Sequence, residues 1–431
     1  MKACRCSNIP NANLPKHSFA AMNQYARQGK NHLVFGFKFS RWKQLFLREM
    51  FPHLTFEFAP LRISEEEFNR KWAPRILKTK NPTIYVWGMA EPKAIDVFAE
   101  KYNVRRIHFE DGFIRSSLPH ASSELPISLI MDDRAMHFDY TKPSRLEEIF
   151  AGYNFADDLA LLDRAEKGIA LIRETRISKY NTSLRESVPK YLKDKGQKNI
   201  LVVGQVEDDA AVISGSPVRY SNNDIVRIAA AEHPGDTIIY RPHPDVLNNM
   251  RPSLSDPQEV ADISILMNEN VSISAVLDHV DEVYTISSLV GFEALMRQIP
   301  VTVFGQPFYS GWGLTRDRHK NSRRNRKLQL SWLFAGAYLL YPTYFSAGAT
   351  RCDFETAIAS LQDRLQGGSG RKPLFWYQEL LCKALTPLVS RLGTKDDIRK
   401  FRQDPRTFLL SLPKFSQRLV GYVFFWITPN R

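Results

Sequence analysis

The sequence predicts an α/β protein built as two doubly wound, Rossmann-like halves that face each other across a cleft. Three observations lead there. Short apolar runs of strand length alternate with segments of helical pattern, the order that builds a parallel sheet. The alternation occurs twice, on either side of a polar, basic stretch. The length, 431 residues, exceeds what one ordinary core supports.

The elements follow in order. Residues 1–30 are polar and read as a poorly ordered amino-terminal arm. The first half spans 31–175. Leu33–Phe37 reads as a buried strand, Trp42–Met50 as a helix, and Leu54–Phe58 and Thr83–Trp87 as strands. Lys93–Lys101 is a helix and Arg105–Phe109 a strand. Residues 176–198, with Pro189 and Gly196, form a linker with a short helix. The second half, 199–345, opens with strand Asn199–Val203, which ends at Gly204. Helix Asp224–Glu232, strand Thr237–Tyr240, strand Glu282–Ile286, helix Val290–Met296 and strand Val301–Phe304 follow. Residues 346–431 form a basic helical carboxyl-terminal region. No repeat of fixed period is visible.

Composition narrows the class. Apolar residues make up 43% of the chain, which is normal for a globular protein. No apolar run reaches the ~20 residues that cross a bilayer, and the first thirty residues lack the apolar block of a secretory signal. A cytoplasmic location is the expectation. Cys4, Cys6, Cys352 and Cys382 have no zinc spacing and read as reduced thiols. The net charge is +13, and from Arg371 to Arg431 twelve Lys/Arg stand against four Asp/Glu, a surplus of 8. Without a nucleic-acid motif, an anionic membrane or an acidic substrate fits this basicity better than nucleic acid. Phe415–Ile427 is rich in aromatics. It is either an interfacial helix at an anionic membrane surface or a terminal helix packed on the domains.

In open α/β sheets ligands bind beyond the carboxyl ends of the strands, and four segments fall there. Glu110, Asp111 and Gly112 follow strand Arg105–Phe109. A carboxylate pair with a glycine that lets the chain turn makes a catalytic loop or a solvated turn. Arg241-Pro242-His243-Pro244 follows strand Thr237–Tyr240. Its prolines restrict the histidine, which is either a donor to a phosphate or incidental to a turn. Ser287 and Ser288 open the helix carrying Glu293, as an anion site or as ordinary caps. Gly305–Thr315 packs three glycines and three aromatics into one loop, which reads as the lining of a ligand cleft. Gly204, Gln205, Arg115, Tyr309 and Trp312 are expected to line that cleft. The seven Lys/Arg of Arg316–Lys327 face an anionic substrate or lipid, or solvent.

The order acid-Asp-Gly, His-Pro, Ser-Ser is similar to that of bacterial sialyltransferases and Kdo transferases that use CMP-sugars. The longer words are more specific. EDGFIRS (Glu110–Ser116), DYTKPSRLEEIF (Asp139–Phe150), SKYN (Ser178–Asn181), LVVGQVEDDA (Leu201–Ala210) and RPHPDV (Arg241–Val246) closely resemble the KpsC/LipA capsule polysaccharide family. So do Ser287–Thr315 and Arg323–Phe345. The resemblance covers roughly residues 31–360.

It implies a GT-B-like fold and retaining β-Kdo transfer from CMP-Kdo to a lipid-linked glycan in capsule biosynthesis. Asp111 corresponds to the catalytic carboxylate, as nucleophile in a retaining scheme or base in an inverting one, with Glu110 beside it. His243, Ser287 and Ser288 correspond to contacts to the CMP phosphate, and Glu293 to a ribose contact. No metal or other cofactor is implied. The implied partners are the CMP-sugar, the lipid-linked acceptor, the anionic inner-membrane surface at its cytoplasmic face, and other capsule biosynthesis and export proteins. Fuller family members carry two such modules, whereas this chain has room for one. Two alternatives stay open: a non-catalytic capsule assembly or export factor that binds the lipid-linked glycan, and a CMP-sialic acid-dependent sialyltransferase.

Overall fold

The computed structural model describes residues 32–366 apart from 90–92, 117–124, 180, 182–187, 189–190, 193–196, 248–250, 252, 270 and 347–348. The amino-terminal arm, much of the linker, Cys4, Cys6, Cys382 and the aromatic tail lie outside the described residues.

The first half contains β1 (His32–Phe37), α1 (Arg41–Met50), β2 (Leu54–Phe58), β3 (Thr83–Trp87), α2 (Lys93–Lys101), β4 (Arg105–Asp111) and β5 (Ser128–Asp132), then α3 (Arg145–Gly152) and α4 (Leu159–Thr175). β3 is buried along its whole length, as expected of an apolar run covered on both faces. β2, β1, β3 and β4 pair in parallel. β5 then runs antiparallel to β4, with Asp111 opposite Leu129. The sequence reading lacked β5. An antiparallel strand interrupts the strand–helix alternation on which that reading rests.

The second half contains β6 (Asn199–Val203), α5 (Asn222–Glu232), β7 (Thr237–Arg241), β8 (Ile265–Leu266), β9 (Glu282–Thr285), α6 (Val290–Leu295), β10 (Val301–Val303) and β11 (Arg316–Asp317). Its sheet has six strands in the order β11-β10-β9-β6-β7-β8, all parallel. α5 starts on a capping box formed by Ser221 and Asp224.

The chain then returns to the first half. β12 (Thr343–Phe345) pairs antiparallel with β5, and β13 (Arg351–Cys352) with β12, before α7 (Phe354–Gln366). The first sheet therefore has seven strands in the order β13-β12-β5-β4-β3-β1-β2. The second half ends before Thr343, not at 345, because non-local pairing decides where a three-residue strand belongs.

Two devices join the halves. The first is apolar. Phe113 packs against Phe308 with ring centroids 4.6 Å apart and stacks on Tyr338 at 5.6 Å; Phe292 meets Phe308 at 5.3 Å. The second is ionic. Glu147, buried on α3, accepts hydrogen bonds from Arg323 Nε at 2.5 Å and Arg324 Nε at 3.0 Å. Arg326 Nη1 donates to the carbonyls of Phe150 at 3.2 Å and Tyr153 at 2.7 Å. Within the second half, Arg318 pairs with Glu232 on α5, and Arg316 with Glu282 on β9 at 3.3 Å. Five of the seven cations in the basic segment are thus engaged within the protein.

Removing one partner of a buried ion pair strands the other charge. Glu147→Ala should therefore cost about 3–5 kcal/mol in urea unfolding. Arg164→Ala, which breaks the exposed pair with Glu355, should cost under about 1 kcal/mol.

Candidate active site

β4 ends in the carboxylate pair. Neighbouring residues of a strand point to opposite faces, and here that separates the two acids. Asp111 is 2% exposed. Arg115 Nε donates to Asp111 Oδ2 at 2.9 Å, and Arg115 Nη1 donates to Ser116 Oγ at 2.8 Å. Arg115 is fully buried beneath the site and does not line the cleft as expected. Glu110 is only half-buried. Burial, with the Asp111 charge second, holds the Glu110 carboxyl above the usual carboxylate range; Lys43 and Lys179 pull it back. Gly112 has no positive φ. It is needed for close approach: a Cβ there would lie 2.0 Å from Ser128 Oγ.

The second half faces this pair with the ends of β6, β7 and β9. His243, directly after β7, has a side chain 33% exposed. Asp245 N donates to His243 Nδ1 at 3.1 Å. That assigns the ring proton to Nε2, and burial lowers the pKa, so the imidazole is a neutral Nε2–H donor. Ser287 and Ser288 are half-buried after β9. Gln205 fixes Ser287: its Oε1 accepts from Ser287 N at 2.8 Å, and its Nε2 donates to Ser287 Oγ at 3.3 Å. Val290 N donates to Ser288 Oγ at 3.3 Å, so Ser288 also acts as an ordinary cap. Gly204 lets β6 approach the Arg241-Pro242 turn, since a Cβ would lie 3.1 Å from both Arg241 O and Pro242 Cα.

Two sequence expectations need correction here. Tyr309 and Trp312 are fully buried and do not line the cleft. Tyr309 donates to Ser288 O, and Trp312 Nε1 donates to Phe308 O at 2.9 Å. The aromatic loop is a plug between the halves, and aromatic surface that large is stable when covered. Glu293 is also buried and is held within the protein. It accepts from Ser178 Oγ at 2.7 Å, and burial raises its pKa.

Two residues were missed. Lys43, on the first turn of α1, is 9% exposed, with its ammonium 3.3 Å from the Trp87 ring centroid. Burial pushes its pKa down to about 8, against the pull of Glu110 and Asp111. The helix RWKQLFLREM gives no sign of this role. The other is Lys179 in the SKYN word, whose charge acts on Glu110 in one half and on His243 in the other. A separate recess of about 620 Å³ includes Arg176, Asp278 and Arg297. It lies at the opposite, amino-terminal edge of β9 and β10, where Asp278 pairs with Arg176 at 3.0 Å and Arg297 at 3.6 Å.

Residues 83–346 match the family described as capsule polysaccharide biosynthesis protein. The chain belongs to this family. The chain is 43% identical over 312 residues to the lipopolysaccharide-processing protein LpsZ of Rhizobium meliloti, covering 70% of each chain. It is 39% identical over 271 residues to the capsule polysaccharide modification protein LipA of Neisseria meningitidis, covering 63% of this chain and 38% of LipA. The chain thus spans under two fifths of LipA's length. Two solved structures are similar, both from Thermosulfurimonas dismutans KpsC. The β-Kdo 2,7 transferase is 33% identical with a TM-score of 0.60, and the β-Kdo 2,4 transferase 30% with 0.65. Each comparison covers 77% of this chain and 98% of the other. The two sheets and these neighbours give the family member a GT-B-like fold of two Rossmann-like domains.

A cation beside a carboxyl favours its charged form. Lys43→Met removes that favour, so the Glu110 carboxyl should titrate at higher pH by carbon NMR of labelled protein. An unchanged titration would place Lys43 outside the carboxylate site.

Proposed function

We propose that this protein is a glycosyltransferase that moves Kdo from CMP-Kdo to a lipid-linked acceptor in capsule polysaccharide biosynthesis. One observation carries the reading: a strand-end carboxylate pair in one half shares the cleft with a neutral histidine donor and a hydroxyl pair in the other. The Kdo transferases among its structural neighbours supply the choice of sugar.

The geometry supports the following roles. CMP leaves easily once its phosphate charge is met by donors, and His243 Nε2 with the Ser287 and Ser288 hydroxyls provides them. Retention requires a carboxylate to bond the anomeric carbon and a second one to handle the proton. Asp111, held as a charge by Arg115, takes the first role. Glu110, whose pKa is raised, takes the second: it accepts the proton of the acceptor hydroxyl as the new bond forms. The depth of Asp111 means that the sugar binds against the end of β4, away from water. The reading assigns no metal or cofactor. Among the described residues no helix is long and apolar enough to cross a membrane. Contact with the lipid-linked acceptor and an anionic membrane surface is assigned to the basic stretch 371–431.

The test is product formation by full-length protein with a synthetic lipid acceptor, comparing CMP-Kdo with CMP-sialic acid. Transfer from CMP-Kdo alone, lost by at least about a thousandfold in Asp111→Ala, is expected. Turnover of CMP-sialic acid would make it a sialyltransferase. Glycan binding without turnover of either donor would make it an assembly or export factor.

A further inference from the structure

Glu293 is the one charged residue on α6, in a stretch where Gly291 through Leu295 are all buried. Burying a carboxyl costs free energy that an apolar side chain would avoid, and only its bonds offset that cost. Glu293 uses its Oε1 on a segment outside its own half: Ser178 Oγ donates to it at 2.7 Å. Ser178 belongs to a short strap, 176–181, at the start of the linker. Ser274 of the second half also holds this strap, donating from Oγ to the carbonyl of Arg176 at 3.1 Å.

The first half grips the same strap one residue on. Arg115 N donates to the carbonyl of Lys179 at 3.2 Å, and Asn181 Nδ2 donates to the carbonyl of Ser116 at 3.0 Å. Asn181 also braces the strap itself. Its Oδ1 accepts from Ser178 N at 2.9 Å, and its Nδ2 donates to Ser178 O at 3.0 Å. Consecutive Cα atoms lie about 3.8 Å apart. The attachment to the second half at Ser178 and that to the first half at Lys179 are therefore separated by a single peptide unit. The halves cannot slide past each other here without breaking one of these bonds.

Each end of the strap reaches a group of the proposed reaction. Arg115 Nε holds Asp111 Oδ2 at 2.9 Å. Glu293 lies five residues after Ser288, on the helix that Ser288 caps at Val290 N. Resting on the transferase reading, the strap thus runs from the counter-ion of the nucleophile to the helix that carries the phosphate site. Misplacing the reacting atoms by about 1 Å costs roughly a hundredfold in rate. We propose that Ser178 and Glu293 are positioning residues. Their hydrogen bond latches the two halves so that Asp111 stands at attack distance from a donor held by His243 and the serine pair. Glu293 acts through the strap and not on the ribose.

The experiment compares wild type with Ser178→Ala, Ser178→Thr, Glu293→Ala and Glu293→Gln, all full length and checked for unchanged melting. It reads kcat for CMP-Kdo, the inhibition constant of CMP, and amide hydrogen exchange at Arg115. Ser178→Ala and Glu293→Ala should lower kcat about 10- to 100-fold. Both should leave CMP inhibition unchanged, because the second half alone binds CMP, and both should speed exchange at Arg115. Ser178→Thr keeps the donor and Glu293→Gln the acceptor, so both should stay near wild type. An unchanged kcat in Ser178→Ala would overturn the proposal. So would weaker CMP inhibition in Glu293→Ala, which would make Glu293 a ribose contact. If wild type does not turn over CMP-Kdo, the transferase reading fails separately. Exchange at Arg115 then decides, faster in Ser178→Ala if the latch holds and unchanged if it does not. If Ser178→Ala melts early, Ser178→Cys replaces it, since a thiol is a weak donor.

Discussion

A carboxylate survives burial only when its charge is met, and the site depends on how Asp111 meets that condition. Arg115 lies four residues on and is itself fully buried. Holding that pair fixes the course of the chain from β4 through Ser116. The same segment then receives the linker: Arg115 N binds Lys179 O, and Ser116 O accepts from Asn181. The linker in turn reaches α6 through Ser178 and Glu293. One buried ion pair thus sets the register between the acid-bearing strand of one half and the Ser-Ser helix of the other.

Around it, both halves are held so that the cleft keeps its shape. The Phe113–Phe308 contact joins the halves two residues beyond Asp111, and Glu147 with Arg323 and Arg324 adds an ionic tie. Stable inter-domain interfaces are usually large and apolar; here a continuous apolar cluster runs from Phe113 through Phe308 to Tyr338. The words EDGF and GQPFYSGWG read separately in sequence, yet their phenylalanines are one contact.

The sequence revealed the parallel strands and the motifs at their ends, because buried parallel strands are short apolar runs with glycine, proline or polar residues after them. It hid β5 and β12, since antiparallel pairing across about two hundred residues leaves no local pattern. It also placed Tyr309 and Trp312 on the wrong side of the surface. A glycine-rich aromatic loop looks the same whether a ligand or the protein itself covers it. Lys43 was illegible for a related reason: a lysine on an amphipathic helix is ordinarily solvated, and only its packing on Trp87 beside Glu110 marks it.

The division of labour between Asp111 and Glu110 is the central claim. With CMP as a good leaving group, bond formation at Asp111 needs little help from an acid, whereas breaking that bond needs a base for the acceptor. Intact-mass analysis of Glu110→Gln after incubation with CMP-Kdo tests this most directly. A protein that gains the mass of one Kdo, mapped to Asp111 and absent in Asp111→Ala, is the predicted result. A Glu110→Gln protein that transfers sugar at the wild-type rate with no adduct, or an adduct that survives in Asp111→Ala, would contradict the account.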